Sequence, residues 1–96
     1  MLSRVEIEKN LRKIKPELAS NFNVCRIGFF GSFVTGQQNE NSDLDILVEF
    51  SKPIGWKFFE LEKYLEQAIG IPIDLVTASA LKERIKDSIL TQVHYV

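Results

Sequence analysis

The sequence of 96 residues predicts an α/β (α+β) fold, a small β-sheet flanked by helices. Two patterns carry that expectation. Apolar residues recur at helical spacing in one stretch near the start and in another past the middle. Between and after these stretches, short segments either alternate apolar and polar residues or concentrate β-branched and aromatic ones.

The elements follow in order. Ser3 and Glu6 have the spacing of a capping box, and Ile7, Leu11, Ile14 and Leu18 then recur at helical intervals, which predicts a first amphipathic helix from about Arg4 to Ser20. Pro16 removes a hydrogen bond inside it and is the place where it would bend. Val24 to Phe30 reads as a first strand stopped by Gly31, and Ser32 to Ser42, with Gly36 inside, as a short helical turn plus loop. From Asp43 to Phe50 the chain alternates, with Leu44, Ile46, Val48 and Phe50 on one face and Asp43, Asp45 and Glu49 on the other, a second strand. Phe58, Leu61, Leu65, Ala68 and Ile69 mark a second long helix ended by Gly70. Ile71 to Val76 forms a third strand with Asp74 on its polar side. Ser79 is placed to cap a last short helix bearing Leu81, Ile85 and Ile89, and Val93 to Val96 remain as an apolar tail.

Hydrophobic residues make up 45% and charged residues 26%, the balance of an ordinary globular chain and far from disordered or collagen-like compositions. The length allows one hydrophobic core, so residues 1–96 are read as one domain. A net charge of -1 gives no electrostatic footprint for a phosphate backbone and argues against duplex DNA as partner. The lone Cys25 has no intramolecular disulfide partner, no run approaches the roughly 18 apolar residues of a membrane span, and the charged N-terminus lacks a secretory signal pattern. A cytoplasmic protein with no membrane contact is expected; the oligomeric state is not legible.

Chemistry concentrates in Gly31-Ser32, ten intervening residues, and Asp43-Leu44-Asp45. Residues i and i+2 of a strand share a face, so the carboxylates of Asp43 and Asp45 are expected side by side. Paired anions repel unless a cation compensates them, and oxygen-rich pairs suit Mg²⁺. Gly31 and Ser32 stand where a strand passes into a helical turn, where backbone N–H groups meet an anion and glycine permits close approach. Asp74 adds a third carboxylate from another strand, and three acids on one sheet suggest phosphoryl chemistry with two metal ions.

The segment GSFVTGQQNENSDLDILVEF resembles the signature of the polymerase-beta-like nucleotidyltransferase superfamily, and the length and the IPIDLVT segment are similar to its minimal nucleotidyltransferase (MNT) group. The resemblance runs over essentially the whole chain. It implies a small mixed sheet of the polymerase-beta-like palm type, with Gly31 and Ser32 holding the phosphates of ATP or another NTP. It also implies Asp43 and Asp45 as ligands of Mg²⁺, two ions in all, with Asp74 as third acid, able to bind metal and to accept the proton of an attacking hydroxyl. MNT proteins are frequently paired with an all-helical HEPN protein in toxin-antitoxin modules, and some transfer AMP to a tyrosine of that toxin. The resemblance therefore implies an antitoxin acting on a HEPN partner. The family often has arginine shortly after the Gly-Ser pair, where this chain has Thr35.

Two functions are weighed. In the first, an active nucleotidyltransferase, an acceptor hydroxyl attacks the NTP α-phosphate. In the second, a binding module of the same fold neutralises a HEPN ribonuclease by contact. Three mutually repelling acids favour the enzyme; Thr35 favours the binder. Transfer to a small molecule is a weaker third reading, since it usually needs an added domain. Elsewhere the simplest expectations are structural. Trp56, Phe58 and Phe59 belong to the core by their helical spacing, Cys25 is a buried small hydrophobe, and His94 is a tail residue. Lys82, Arg84 and Lys86 form a solvated helix face, and Val93, Tyr95 and Val96 form exposed apolar surface for a partner.

Overall fold

The structure, a computed structural model, describes residues 2–39, 41–81 and 83–96, and of residues 83–85 the backbone only. Helix α1 (Arg4–Phe22) begins as its sequence dictates: the Glu6 N–H donates to Ser3 Oγ at 3.2 Å and the Ile7 N–H to Ser3 O at 3.1 Å. It runs on through Pro16, which stands on the exposed side where the forfeited carbonyl is open to water, and ends at Asn23 in the left-handed conformation. Strand β1 (Val24–Phe30) leads into a single helical turn, α2 (Ser32–Thr35). Strand β2 (Leu44–Phe50), helix α3 (Lys57–Ile69) and strand β3 (Ile73–Thr77) form a β-α-β crossover, and the Gly70 N–H closes α3 on Glu66 O at 2.7 Å. A 3-10 turn (Ala78–Ala80), helix α4 (Glu83–Gln92) and a two-residue strand β4 (His94–Tyr95) complete the chain.

The sheet is mixed, in the order β3-β2-β1-β4, with β2 parallel to β3 and antiparallel to β1, and β4 antiparallel to β1. One face carries the core. Ile27 and Phe29 of β1 with Leu44, Ile46 and Val48 of β2 are fully buried against Ile7, Leu11 and Leu18 of α1 and Leu61 and Leu65 of α3. Each such side chain contributes about 1.5–3 kcal/mol on transfer from water. Leu47 points the other way, yet it too is fully buried. Its register partner is Gly28, over which Val93 packs, so the second face is apolar at its centre and the alternation in β2 is not polar throughout.

Several expectations are corrected. Cys25 is exposed: the β1–β2 register shifts between Val24 and Arg26, leaving Cys25 as the extra residue of a bulge with its Sγ donating to Glu49 O at 3.3 Å. Trp56 and Phe59 are 85% and 57% exposed and lean on each other at 5.9 Å, while only Phe58 turns to the core. Ser79 caps no α-helix; it lies in the 3-10 turn, its hydroxyl 3.2 Å from that of Thr77. The apolar tail is a sheet edge. The Val96 N–H donates to Ile27 O at 2.9 Å, Arg26 lies 3.7 Å over the Tyr95 ring, and His94 bridges back to α1 through Arg4 at 2.9 Å and Glu8 at 3.1 Å. Arg4 can only donate, so His94 Nδ1 accepts from it and Nε2 carries the proton given to Glu8. Lys86 is half-buried, and the expectations for Lys82 and for the side chains of Arg84 and Ile85 lie outside the described residues. Among the described residues no helix is long and apolar enough to cross a membrane.

Val93 and β4 leave no room for a side chain on β1 beneath them. A Cβ at Gly28 would stand 2.6 Å from Val93 Cγ1 and 2.8 Å from His94 O. Gly28→Ala is expected to destabilise by about 1–3 kcal/mol, as overpacking does, and adding Val93→Ala to recover part of that loss. Urea denaturation of the two variants checks this; an unchanged midpoint for Gly28→Ala would show that the tail is not seated on β1.

Candidate active site

The sheet order puts β2 between the other two strands that carry the candidate residues, so Asp45, its second residue, has neighbours on both sides. Phe30, the last residue of β1, is its antiparallel register partner and Asp74, in β3, its parallel one. Residues in register across a sheet share a face, so the carboxyl groups of Asp45 and Asp74 meet. They come within hydrogen-bonding reach, and the Asp45 carboxyl is pushed up to about 6. Burial is the largest cause, followed by the charge of Asp74, the hydrogen bond with Asp74 and the charge of Asp43. The pair therefore lies where a proton below about pH 6, or a cation at any pH, relieves the repulsion between the two carboxyls.

Gly31 closes the site from the β1 side. Its φ of 77° and ψ of -146° fall in a region reserved for glycine, and a Cβ there would collide with Asp45 Oδ2. The peptide beyond it turns at once into α2, where the N–H groups of Val34 and Thr35 donate to Gly31 O at 3.0 and 3.1 Å. The amides of Ser32 and Phe33 come ahead of these, at a helix start whose first N–H groups have no acceptor within the helix. Thr35 is exposed, and its hydroxyl turns back to Ser32 O at 3.4 Å rather than outward.

Of the residues singled out from sequence, Asp45 meets both Gly31 and Asp74, Ser32 follows Gly31 in the chain, and Asp43 stands apart. Strand β2 begins at Leu44, one residue later than its pattern suggests, so Asp43 is exposed at the end of the loop and acts on Asp45 by its charge. That loop is shaped by its own side chains: the Asn41 N–H donates to Asn39 Oδ1 at 2.8 Å and the Asn39 N–H to Ser42 Oγ at 2.9 Å. Among the described residues no three His, Cys, Asp or Glu side chains converge as a metal cage. Mg²⁺ does not require one, since it binds through one or two carboxylates with waters and substrate phosphates.

Phe30 escaped the sequence reading. Half-buried beside Asp45, it contributes apolar surface to the site, and its place immediately before Gly31 was the available signal. A cavity of about 370 Å³, lined in part by Glu49, Phe50, Lys52, Thr77 and Ser79, lies at the carboxyl ends of β2 and β3. Asp45 and Phe50 are five residues apart, roughly 16 Å along a strand, so this cavity is not where the acids are. The acids lie apart from it, Asp45 half-buried and Asp43 and Asp74 exposed.

A carboxyl group whose folded value lies above the ordinary carboxylate range favours the protonated folded state. Its contribution to stability is complete below about pH 4 and is lost as pH rises through about 6. Asp45→Asn is therefore expected to raise the melting temperature of the metal-free protein at pH 7.5 and to flatten the decline between pH 4 and 6. Thermal melts in EDTA across that range check it; parallel curves for variant and parent would remove the Asp45–Asp74 contact.

Comparison with known proteins shows the family. Residues 11–96 match the nucleotidyltransferase domain family. The protein adenylyltransferase MntA of Thermococcus cleftensis is 48% identical over 97 aligned positions, covering 100% of this chain and 98% of that protein. A solved structure of a candidate minimal nucleotidyltransferase superposes with a TM-score of 0.81 at 24% identity, covering 97% of this chain and 95% of the other, a likeness of fold. A toxin-antitoxin crystal structure with AMP-PNP superposes with a TM-score of 0.68 at 28% identity, over 98% of this chain and 72% of the other. With its mixed sheet, its glycine turned onto an aspartate and its acids paired across β2 and β3, the chain belongs to the nucleotidyltransferase domain family.

Proposed function

We propose that the chain is a protein adenylyltransferase that moves AMP from ATP onto a hydroxyl of a HEPN-domain partner, as the antitoxin of a toxin-antitoxin pair. The observation that carries this reading is the meeting of the Asp45 and Asp74 carboxyls beside Gly31. Support comes from the name of the Thermococcus relative and from the nucleotide analogue in the toxin-antitoxin structure.

The residues divide the work as follows. Gly31 and Ser32, with the free amides at the start of α2, receive the phosphates; the missing Cβ of Gly31 lets the chain approach them. Asp45 and Asp74, with Asp43 at the rim, fit a divalent cation, because a positive charge between the two carboxyls offsets the burial and repulsion that push the Asp45 carboxyl up. Bound there, Mg²⁺ would offset the charge of the phosphates and of the leaving pyrophosphate. The acceptor oxygen forms its bond to the α-phosphorus as the bond to pyrophosphate breaks, pyrophosphate leaves with the electron pair, and the hydroxyl proton passes to the exposed Asp74 carboxylate.

A second reading, neutralisation of the partner by contact alone, draws on Thr35, which stands where the family often has arginine and whose hydroxyl is turned inward. Incubation with labelled ATP, Mg²⁺ and a candidate HEPN protein, followed by mass measurement of both proteins, separates the two. An added AMP on the partner is expected; an unmodified but silenced partner would establish the contact mechanism instead.

The acids should also separate by role. Asp45→Asn is expected to weaken metal-dependent ATP binding and to abolish transfer. Asp74→Asn keeps the shape and loses the basicity, so ATP affinity should survive better than turnover, which falls by about 10²-fold or more. Affinity and transfer rate measured on the same samples decide it: equal loss of affinity in both variants would deny Asp74 a separate part.

A further inference from the structure

The two edges of the sheet are treated differently. On the β1 side the chain adds its own strand, β4. On the β3 side the sheet ends, and among the described residues nothing pairs with the outer edge. The phase of the ladder identifies the groups left over. The Leu44 N–H donates to Pro72 O at 3.0 Å, and in a parallel pair one residue is bonded to the residues before and after its partner. Asp74 and Val76 therefore turn their main-chain groups to β2, while the N–H and C=O of Ile73, Leu75 and Thr77 point outward. An edge that has to stay unpaired normally carries lysine, proline or a bulge. Ile73-Asp74-Leu75-Val76-Thr77 has none of these within it; its single charge is Asp74, on the site face.

We propose that this outer edge of β3 is the docking place of the acceptor: an extended segment of the partner protein, from outside its helices, adds to the sheet as a fifth strand and so presents its hydroxyl to Asp74. This rests on the transferase reading, which requires an acceptor delivered to that carboxylate. An added strand lies about 4.8 Å from β3, and a side chain opposite Asp74 has its Cβ about 5 Å from that of Asp74, within reach for a hydroxyl-bearing residue there or nearby. The segment it fits alternates, with apolar residues continuing the buried row of Ile73 and Leu75 and polar ones on the site face. A second copy of this chain is the poorer occupant. Two β3 strands paired antiparallel about Leu75 would set each Asp74 against Val76 of the other copy and bring the two acidic clusters together, a like-charge contact with no cation of its own.

The test uses isotope-labelled protein and a short synthetic peptide alternating valine and threonine around one tyrosine with flanking lysines. Two further versions are N-methylated at odd or at even backbone positions. Binding of the plain peptide is expected to slow amide exchange at Ile73 and Leu75 by about tenfold or more, with little change at Asp74 and Val76, already bonded to β2. One of the two methylated peptides should lose this protection and the other keep it. No protection up to millimolar peptide, protection elsewhere, or equal behaviour of the two methylated peptides would overturn the proposal. The mass of the peptide after incubation with ATP and Mg²⁺ is read separately. Protection without added AMP supports the docking edge and counts against the transferase, whereas AMP on the tyrosine without protection at β3 overturns the docking edge alone.

Discussion

Two carboxyl groups set directly across a parallel pair of strands are an arrangement the chain has to hold against its own electrostatics. The pairing of Asp45 with Asp74 is a matter of register. Leu44 pairs with Ile73 and Ile46 with Leu75 on the opposite face, all four buried, and a slip of one residue would carry them to the site and the acids into the core. The apolar face thus enforces the polar one. Repulsion between the acids and the partial burial of Asp45 are offset by contacts made on the far side of the same strand, and β2 could not hold the pair without a flanking strand on each side.

Much of this was legible in the residues. Alternation located β2, helical spacing located α1 and α3, and Gly31 and Asp45 stood out by the spacing of the Gly-Ser pair from Asp43-Leu44-Asp45. The misreadings have physical causes of three kinds. A bulge is set by the partner strand, so Cys25 in an apolar run gave no sign that it would be the residue left over. The phase of a helix fixes which of several neighbouring aromatics turn inward, and the start of α3 at Lys57 gave the core to Phe58 and left Trp56 and Phe59 outside. The tail read as spare apolar surface because the edge it completes, β1, is separated from it by most of the chain. Of the candidate site, residue identities could be read, whereas the Asp45–Asp74 contact depends on which strands are neighbours, and no local pattern encodes that.

The second face has the same logic in miniature. Leu47 is buried because Gly28 beside it is bare enough for Val93 to settle there, and this apolar centre lies between the acids at one end of β2 and the cavity at the other. The acids are left at the rim of the sheet, a suitable place for groups that the proposed protein acceptor has to reach.

The junction of Arg4 with His94 bears on the order in which the chain assembles. These residues are 90 positions apart, whereas Phe30 and Asp45 are 15 apart in register. Loop-closure entropy grows with the logarithm of that separation, so joining the ends costs roughly 1.6 kcal/mol more than closing β1 on β2. That cost is recovered only when β1 already offers an edge and α1 already presents Glu8 and Arg4. Strand β4 is accordingly a late arrival in folding and an early departure in opening, and during its absence the β1 edge stands bare, as the β3 edge does among the described residues.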